Sequence, residues 1–179
     1  MAKSTRGFTI VELLIVIVVI GILASITIVS YNGIQKRARN AARLVQMTTW
    51  RDMFELYRAE NGTYPAMASN TGYCLGKNFP KGPDNQSRCR DYEWLGMPVT
   101  SYKESDSTAL MTALSTVATL PGGPYVPVNG TVGPYADYYD DSIEIIGVFD
   151  GDADDCPATT TYEWDDELGS LLCAIILDR

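Results

Sequence analysis

The sequence predicts an α+β fold, in which one long N-terminal helix packs on a small C-terminal antiparallel sheet. The first proline is Pro65, so no proline interrupts a helix in the first third of the chain. The C-terminal part instead contains three runs rich in apolar and β-branched residues, at 143–149, 160–164 and 171–177. Turns that contain Asp and Gly separate these runs, a pattern typical of an antiparallel meander.

The first part of the predicted helix is apolar enough to cross a membrane. Residues 13–35 contain no charged side chain, and a helix of that length reaches roughly the 30 Å of a bilayer's hydrocarbon core. Glu12 lies at the start of this run. Because a carboxylate inside a membrane costs free energy, Glu12 either has a function or extends to the interface.

The second part of the helix, residues 34–60, carries two apolar stripes at helical spacing. The first stripe is Ala38, Ala41, Ala42, Val45 and Leu56, and the second is Met47, Trp50, Phe54 and Tyr57. Two explanations are open: neighbouring copies cover one stripe and the chain's own globular head the other, or the helix is embedded in a core. The basic residues of this segment, including Arg39 and Arg43, are expected to contact lipid headgroups or acidic patches of adjacent heads.

The helix is expected to end at Asn61-Gly62, ahead of Pro65. Further on, Ser105-Asp106-Ser107 can cap a short helix that runs to about residue 119. Residues 121–136 are rich in Gly and Pro, and we expect them to form a loop.

The charge distribution separates two regions and excludes several functions. Residues 1–60 carry eight Lys/Arg and four Asp/Glu, whereas residues 61–179 carry six and eighteen. A formal net charge of −8 makes nucleic acid an unexpected partner.

The chain has no histidine, which excludes Ser-His-Asp and Cys-His nucleophiles as well as imidazole-bound zinc or haem. Adjacent carboxylates such as Asp140 and Asp141 fit solvent-exposed charge better than acid–base catalysis, so we do not expect an enzyme.

Four cysteines, Cys74, Cys89, Cys156 and Cys173, all lie in the acidic region. An even number in an oxidising compartment favours two disulfides, and three connectivities are possible. Pairing Cys74 with Cys89 and Cys156 with Cys173 is preferred because each bond closes a short loop. Zinc is disfavoured because the chain has no Cys-x-x-Cys pair and no histidine.

An acidic segment follows the first predicted strand of the C-terminal part. Asp150, Asp152 and Asp154 alternate as in the first half of a calcium-binding loop. The remainder of that motif is missing, since Asp155 stands in place of the glycine and Thr161 in place of the bidentate glutamate. We expect no cofactor, with calcium at these three aspartates as a possible exception.

The N-terminal block resembles the signature of type IV pilins and pseudopilins. The resemblance is carried by RGFTIVELLIV at residues 6–16 and GILA at residues 21–24, and a second similar stretch is YRAENGTYP at residues 57–65. Together these stretches place the resemblance within residues 4–65.

The resemblance implies a processing site and an assembly residue. In this family a prepilin peptidase cuts after the glycine, here between Gly7 and Phe8, and methylates the new amine, here on Phe8. The glutamate five residues into the mature chain, here Glu12, is thought to pair with the N-terminal amine of a neighbouring subunit. Such pairing offsets part of the cost of placing each charge in an apolar environment.

The sequence departs from the family pattern at Val29, where many members have a proline and the helix melts in the filament. Gly21, Ser25 and Thr27 remain weak points of the helix. The resemblance also likens the loop between Cys156 and Cys173 to the C-terminal disulfide loop of many pilins, and some pseudopilins bind calcium near their C-terminal sheet.

The expected organisation has four parts. They are a leader at 1–7, a transmembrane and assembly helix at 8–30, an amphipathic helix at 31–61, and an extracytoplasmic head with disulfides at 62–179. The precursor is expected in the inner or cytoplasmic membrane with its N-terminus in the cytoplasm, and the mature chain in an extracellular pilus. This orientation follows the processing signature rather than the count of positive residues beside the span.

The resemblance implies a structural subunit of a type IV pilus-like filament, serving adhesion, twitching motility or uptake. Expected partners are further copies of the chain, the prepilin peptidase, the pilus assembly machinery and, before assembly, the membrane. One alternative is a minor pilin or type II secretion pseudopilin. Another is a membrane-anchored extracytoplasmic binding domain that does not polymerise.

Overall fold

The computed structural model describes residues 9–79, 89, 107–122, 133–151, 156–158, 160–165 and 170–179. The contacts divide the chain into two compact units, one up to Ala38 and one from Arg39 onwards. The first unit is helical wherever it is described beyond Thr9. The second unit contains a sheet, a short helix and the remainder of the long helix.

Helix α1 runs without interruption over Ile10–Asn61, a length of 52 residues. It ends at Gly62, whose φ of 79° is accessible to glycine and whose N–H donates to the carbonyl of Arg58 at 2.8 Å. The expected weak points are helical as well. The Ser25 hydroxyl donates to the carbonyl of Ile22 at 2.7 Å, and the Thr27 hydroxyl to that of Ala24 at 2.9 Å. Both hydroxyls are therefore satisfied inside an apolar segment.

Among the described residues, the sheet has five antiparallel strands in the order β1-β2-β3-β5-β4. The strands are β1 at Thr71–Cys74, β2 at Tyr135–Tyr138, β3 at Ser142–Phe149, β4 at Thr161–Asp165 and β5 at Ser170–Asp178. The longest pairing joins β3 to β5, from Ser142 opposite Asp178 to Phe149 opposite Leu171. The predicted α+β fold is therefore confirmed.

In the middle of the chain, the structure differs from the secondary structure that the sequence predicts. Strand β1 was not predicted, and β2 begins inside the segment 121–136 that we expected to be a loop. The short helix α2 spans Thr108–Leu114 and ends earlier than expected. Its predicted cap is present, because the Ser107 hydroxyl accepts from the backbone N–H of Leu110.

One face of the sheet packs against α1. Met47, Trp50 and Phe54 of the second apolar stripe are at most 1% exposed and belong to the main core cluster. In the first stripe Val45 is 64% and Leu56 is 40% exposed. A helix embedded on all sides would bury both stripes, so that explanation is wrong for the isolated chain.

The opposite face of the sheet carries a second, smaller cluster. Its strand residues are Tyr135 on β2, Ile146 and Val148 on β3, and Leu172 on β5. Phe79 and the cysteines Cys74 and Cys89 pack against them. The sheet is thus buried on both faces over part of its area, which explains the near-continuous apolar sequence of β3.

Candidate functional site

Helix α1 begins with three reciprocal hydrogen bonds between Thr9 and Glu12. The Thr9 hydroxyl oxygen accepts from the backbone N–H of Glu12 at 3.2 Å. In return, the backbone N–H and the hydroxyl of Thr9 each donate to Glu12 Oε2 at 2.8 Å. This arrangement is a capping box, in which residues three apart satisfy the free donors of the first helical turn. It holds the Glu12 carboxylate at the N-terminal end of the helix.

The position of this carboxylate bears on the predicted processing site. Gly7 and Phe8 lie outside the described residues, so cleavage between them stays a prediction. A chain cut there would begin one residue before Thr9, whose N–H already contacts Glu12. The new amine, on Phe8, would therefore be one residue away from the Thr9 N–H, which donates to the Glu12 carboxylate. The pairing of Glu12 with a neighbouring subunit also stays a prediction.

The segment that follows presents apolar side chains to its surroundings in every direction. By length and composition, Ile10–Thr27 can cross a membrane, and none of that window is buried within the chain. Its large apolar side chains from Ile10 to Ile26 are each at least 48% exposed. An apolar surface of this extent requires lipid or protein around it.

In the second unit, α1 contacts the end of β3 through a polar cluster around Asp150. Asp150 Oδ2 accepts from Arg39 Nε at 2.8 Å and from Arg43 Nη1 at 3.1 Å. Burial by itself raises the pKa of Asp150, but the hydrogen bonds and positive charges of the two arginines outweigh it and lower the pKa below its usual range. Asp150 is therefore held as a carboxylate.

Asn40 fixes the backbone at the same place. Its side-chain Nδ2 donates to the carbonyl of Asp150 at 2.9 Å, and its Oδ1 accepts from the Asp150 N–H at 3.0 Å. Asn40 is 9% exposed, and these bonds satisfy its amide. The Asn40 side chain thus bonds to both backbone groups of Asp150, as a residue of a neighbouring strand would.

The predicted calcium residues are only partly described. Asp150 is described and bound by arginines, whereas Asp152 and Asp154 lie outside the described residues. In the described part of the chain, no group of three or more His, Cys, Asp or Glu could hold a metal ion. Sequence reasoning had not paired Arg39 and Arg43 with this aspartate. The sequence feature that could have indicated this polar cluster is Asn40, a polar residue beside an apolar stripe of α1.

Both pairs of cysteines form disulfides, Cys74 with Cys89 and Cys156 with Cys173. These are the two pairings that the sequence favoured. The Cα atoms are 5.5 Å and 5.8 Å apart, as disulfide geometry requires. One bond lies within the second cluster, and the other ties β5 to the segment that follows Asp150.

A further contact that sequence reasoning missed links the end of α1 to the C-terminus. The Arg58 guanidinium donates to the Tyr64 hydroxyl at 3.1 Å and to the carbonyl of Asp178 at 3.5 Å. Tyr64 in turn donates to Glu55 Oε1 at 2.7 Å. Burial, followed by the bond to Glu55, raises the pKa of Tyr64. These side chains hold the last strand against the last turns of the helix.

Comparison with known proteins places these features in a class. Residues 2–28 match the prokaryotic N-terminal methylation motif. The type II secretion system core protein G of Dickeya chrysanthemi is 28% identical over 86 residues, covering 48% of this chain and 56% of that protein. The same protein of Escherichia coli K12 is 32% identical over 60 residues, covering 34% and 41%.

A pilus component is also among the relatives. The type IV wide pilus major component PilA4 of Thermus thermophilus is 34% identical over 83 residues, covering 46% of this chain and 61% of that protein. The chain thus spans about half the length of the curated relatives it matches. No solved structure matches.

The capped apolar helix and the disulfide-bonded sheet define an α+β protein with a helix able to cross a membrane. Together with the methylation motif, they confirm the resemblance found in the sequence. Residues 2–28 of this chain carry the prokaryotic N-terminal methylation motif, and the chain is similar over part of its length to a type IV pilus component and to type II secretion core protein G.

Proposed function

We propose that the chain is a structural subunit that polymerises through α1 into a type IV pilus-like filament. The observation that carries the proposal is the exposed apolar helix with a carboxylate capped at its N-terminal end. Before assembly the bilayer covers this surface, and in the filament other copies of the helix cover it. The role is structural rather than catalytic, and the filament serves adhesion, twitching motility or uptake.

The proposed life cycle has two stages. The precursor is a single-pass membrane protein whose head is extracytoplasmic, where its two disulfides can form. A prepilin peptidase removes residues 1–7 and methylates Phe8, and the assembly machinery then adds the subunit to an extracellular filament. Mass spectrometry of the mature N-terminus tests this order, since a chain that still begins at Met1 in cells with active peptidase contradicts it.

A second candidate is a pseudopilin of a type II secretion system, supported by the recurrence of core protein G among the relatives. Electron microscopy of sheared surface filaments, with mass identification of their subunit, separates the two. A major pilin is the main component of such filaments. A pseudopilin is absent from them, and its deletion blocks protein secretion instead.

Replacement of Glu12 by Ala tests polymerisation itself. The variant loses the carboxylate but keeps the apolar span, so we expect membrane insertion and head folding to persist while filaments are lost. The matched control is Ser25→Ala, which removes a hydroxyl bonded only to its own helix. Normal filaments from Glu12→Ala contradict the proposal and favour an anchored domain that does not polymerise.

A further inference from the structure

The first aspartate of the predicted calcium loop already has two cationic partners. Arg39 and Arg43 both donate to Asp150 Oδ2, at 2.8 Å and 3.1 Å. The side chains of Arg43 and Asp150 are only 14% and 24% exposed, which limits screening of this cluster by water. Two guanidinium groups and one carboxylate leave the described cluster with an excess of positive charge.

A divalent cation does not fit this arrangement. Calcium binds carboxylate oxygens at about 2.3–2.6 Å, so an ion on Asp150 would lie within a few ångströms of both guanidinium groups. Its charge would be repelled by theirs, and the oxygen that both arginines use would have to exchange partners. The cost of releasing two partly buried arginines opposes binding.

We infer that Arg39 and Arg43 replace a bound cation in this head: they neutralise Asp150 and anchor the end of β3 to α1, so the head folds without calcium. Asn40 completes the anchor through its two bonds to the Asp150 backbone. The contacts are between side chains of α1 and the residue at which the acidic segment begins. They link positions 107–111 residues apart in the chain. This inference stands apart from the proposed polymerisation, since it concerns only contacts within the second unit.

Calcium independence is tested by thermal unfolding of the full chain in detergent micelles. We expect the same melting temperature with excess chelator and with millimolar calcium chloride, because no calcium contributes to the folded state. A reproducible rise of several degrees on adding calcium, absent with magnesium, overturns the inference.

The arginine anchor is tested by substitution in the same assay. Arg39→Gln combined with Arg43→Gln leaves Asp150 without its charged partners, and we expect the melting temperature to fall by roughly 2–8 °C. The matched control is Arg51→Gln, since Arg51 pairs with the exposed neighbouring Asp52 and should shift melting by less than about 2 °C.

A double-mutant cycle between Arg43 and Asp150 distinguishes a direct anchor from general damage. The effects of Arg43→Gln and Asp150→Asn should be less than additive, because each removes the same interaction. The proposed anchoring role is overturned if the two effects are strictly additive. It is also overturned if the Arg39→Gln, Arg43→Gln variant is as stable as the Arg51→Gln control.

Discussion

The Met47 thioether lies in the space that a side chain at Gly147 would fill. A Cβ atom built on Gly147 would be 2.6 Å from Met47 Sδ, and 3.3 Å from Phe149 Cε2. Met47 is 1% exposed and sits in the main core, so its side chain has little room to move. The absence of a side chain at this position of β3 therefore lets α1 approach the sheet closely.

Gly147→Ala should lower the free energy of unfolding by about 1–3 kcal/mol, because the added methyl overpacks the core. Urea unfolding of the full chain in micelles measures this change. Gly122→Ala is the control, since a Cβ at Gly122 meets no atom within 4 Å. Equal effects of the two substitutions would show that the Met47 side chain does not restrict the space at Gly147.

Tyr138 offers a test of a buried hydroxyl. Its side chain is fully buried, and its hydroxyl has no hydrogen-bond partner among the described residues. Tyr138→Phe should therefore leave stability unchanged or raise it by up to about 1 kcal/mol. Tyr73→Phe is the contrast, since the Tyr73 hydroxyl accepts from the Ala68 N–H at 3.1 Å and its loss should destabilise the head. A marked loss of stability in Tyr138→Phe would reveal a partner for its hydroxyl.

Alkaline pH should destabilise the wild type through the same residue. Burial raises the pKa of Tyr138 above its ordinary value of 10.0, and the nearby Tyr73 and Tyr57 raise it further. The charge of Arg179, whose guanidinium lies 5.5 Å from the ring centre, opposes this shift. A raised pKa in the folded state contributes stability below pH 10 that is lost as the pH rises through the folded value. Unfolding measured from about pH 9 upward should show a smaller loss for Tyr138→Phe than for the wild type. Equal losses contradict this assignment.

The exposed apolar stripe of α1 should be needed for assembly but not for folding. Val45→Glu places a charge at a 64% exposed position, so the melting temperature should change little. If neighbouring copies cover this face, filaments counted by electron microscopy should be strongly reduced. Ile176→Glu is the control, an apolar residue of β5 that is 46% exposed. Normal filaments from Val45→Glu would place the contacts elsewhere.

The two disulfides should each contribute about 2–5 kcal/mol to the stability of the head. The loops they close have similar sequence separations of 15 and 17, so the chain-entropy contribution is nearly equal. Replacing Cys74 and Cys89 by Ala should cost more than replacing Cys156 and Cys173, because both sulfurs of the first pair are fully buried in the second cluster and Cys156 is only partly buried. Urea unfolding of the two double variants compares them, and an equal cost contradicts the packing role.

The parts of the fold that sequence predicts are those encoded locally. Helix α1 follows from the absence of proline, and β3 and β5 follow from dense apolar runs. Strands β1 and β2 each have only four residues and lie among turn residues. The pairing of β1 with β2 spans more than sixty residues, from Thr71 to Tyr138, which no local pattern reports. Strand β2 also forms a hairpin with β3, but its four residues are too few to show a strand pattern.

The candidate site shows the same division. Glu12 is apparent from a charge beside an apolar run, and its cap follows from the spacing Thr9-x-x-Glu12. The partners of Asp150 are more than one hundred positions away, so no local pattern pairs this aspartate with Arg39 and Arg43. The charge pattern identifies an acidic segment, but only the tertiary structure shows that two arginines bind its first carboxylate.

Neither disulfide includes a residue of α1, because all four cysteines follow the helix in the chain. In a filament under tension, load passing from one helix to the next would reach the head through the backbone beyond Asn61 and, in parallel, through noncovalent contacts. These contacts are the side-chain packing at Met47, Trp50 and Phe54 and the bonds of Asp150 and Arg58. Mechanical failure would therefore begin by shearing between helix and sheet, while the sheet and its covalent loops stay intact. If the chain polymerises as proposed, the noncovalent helix–sheet contact would yield before either disulfide loop is loaded.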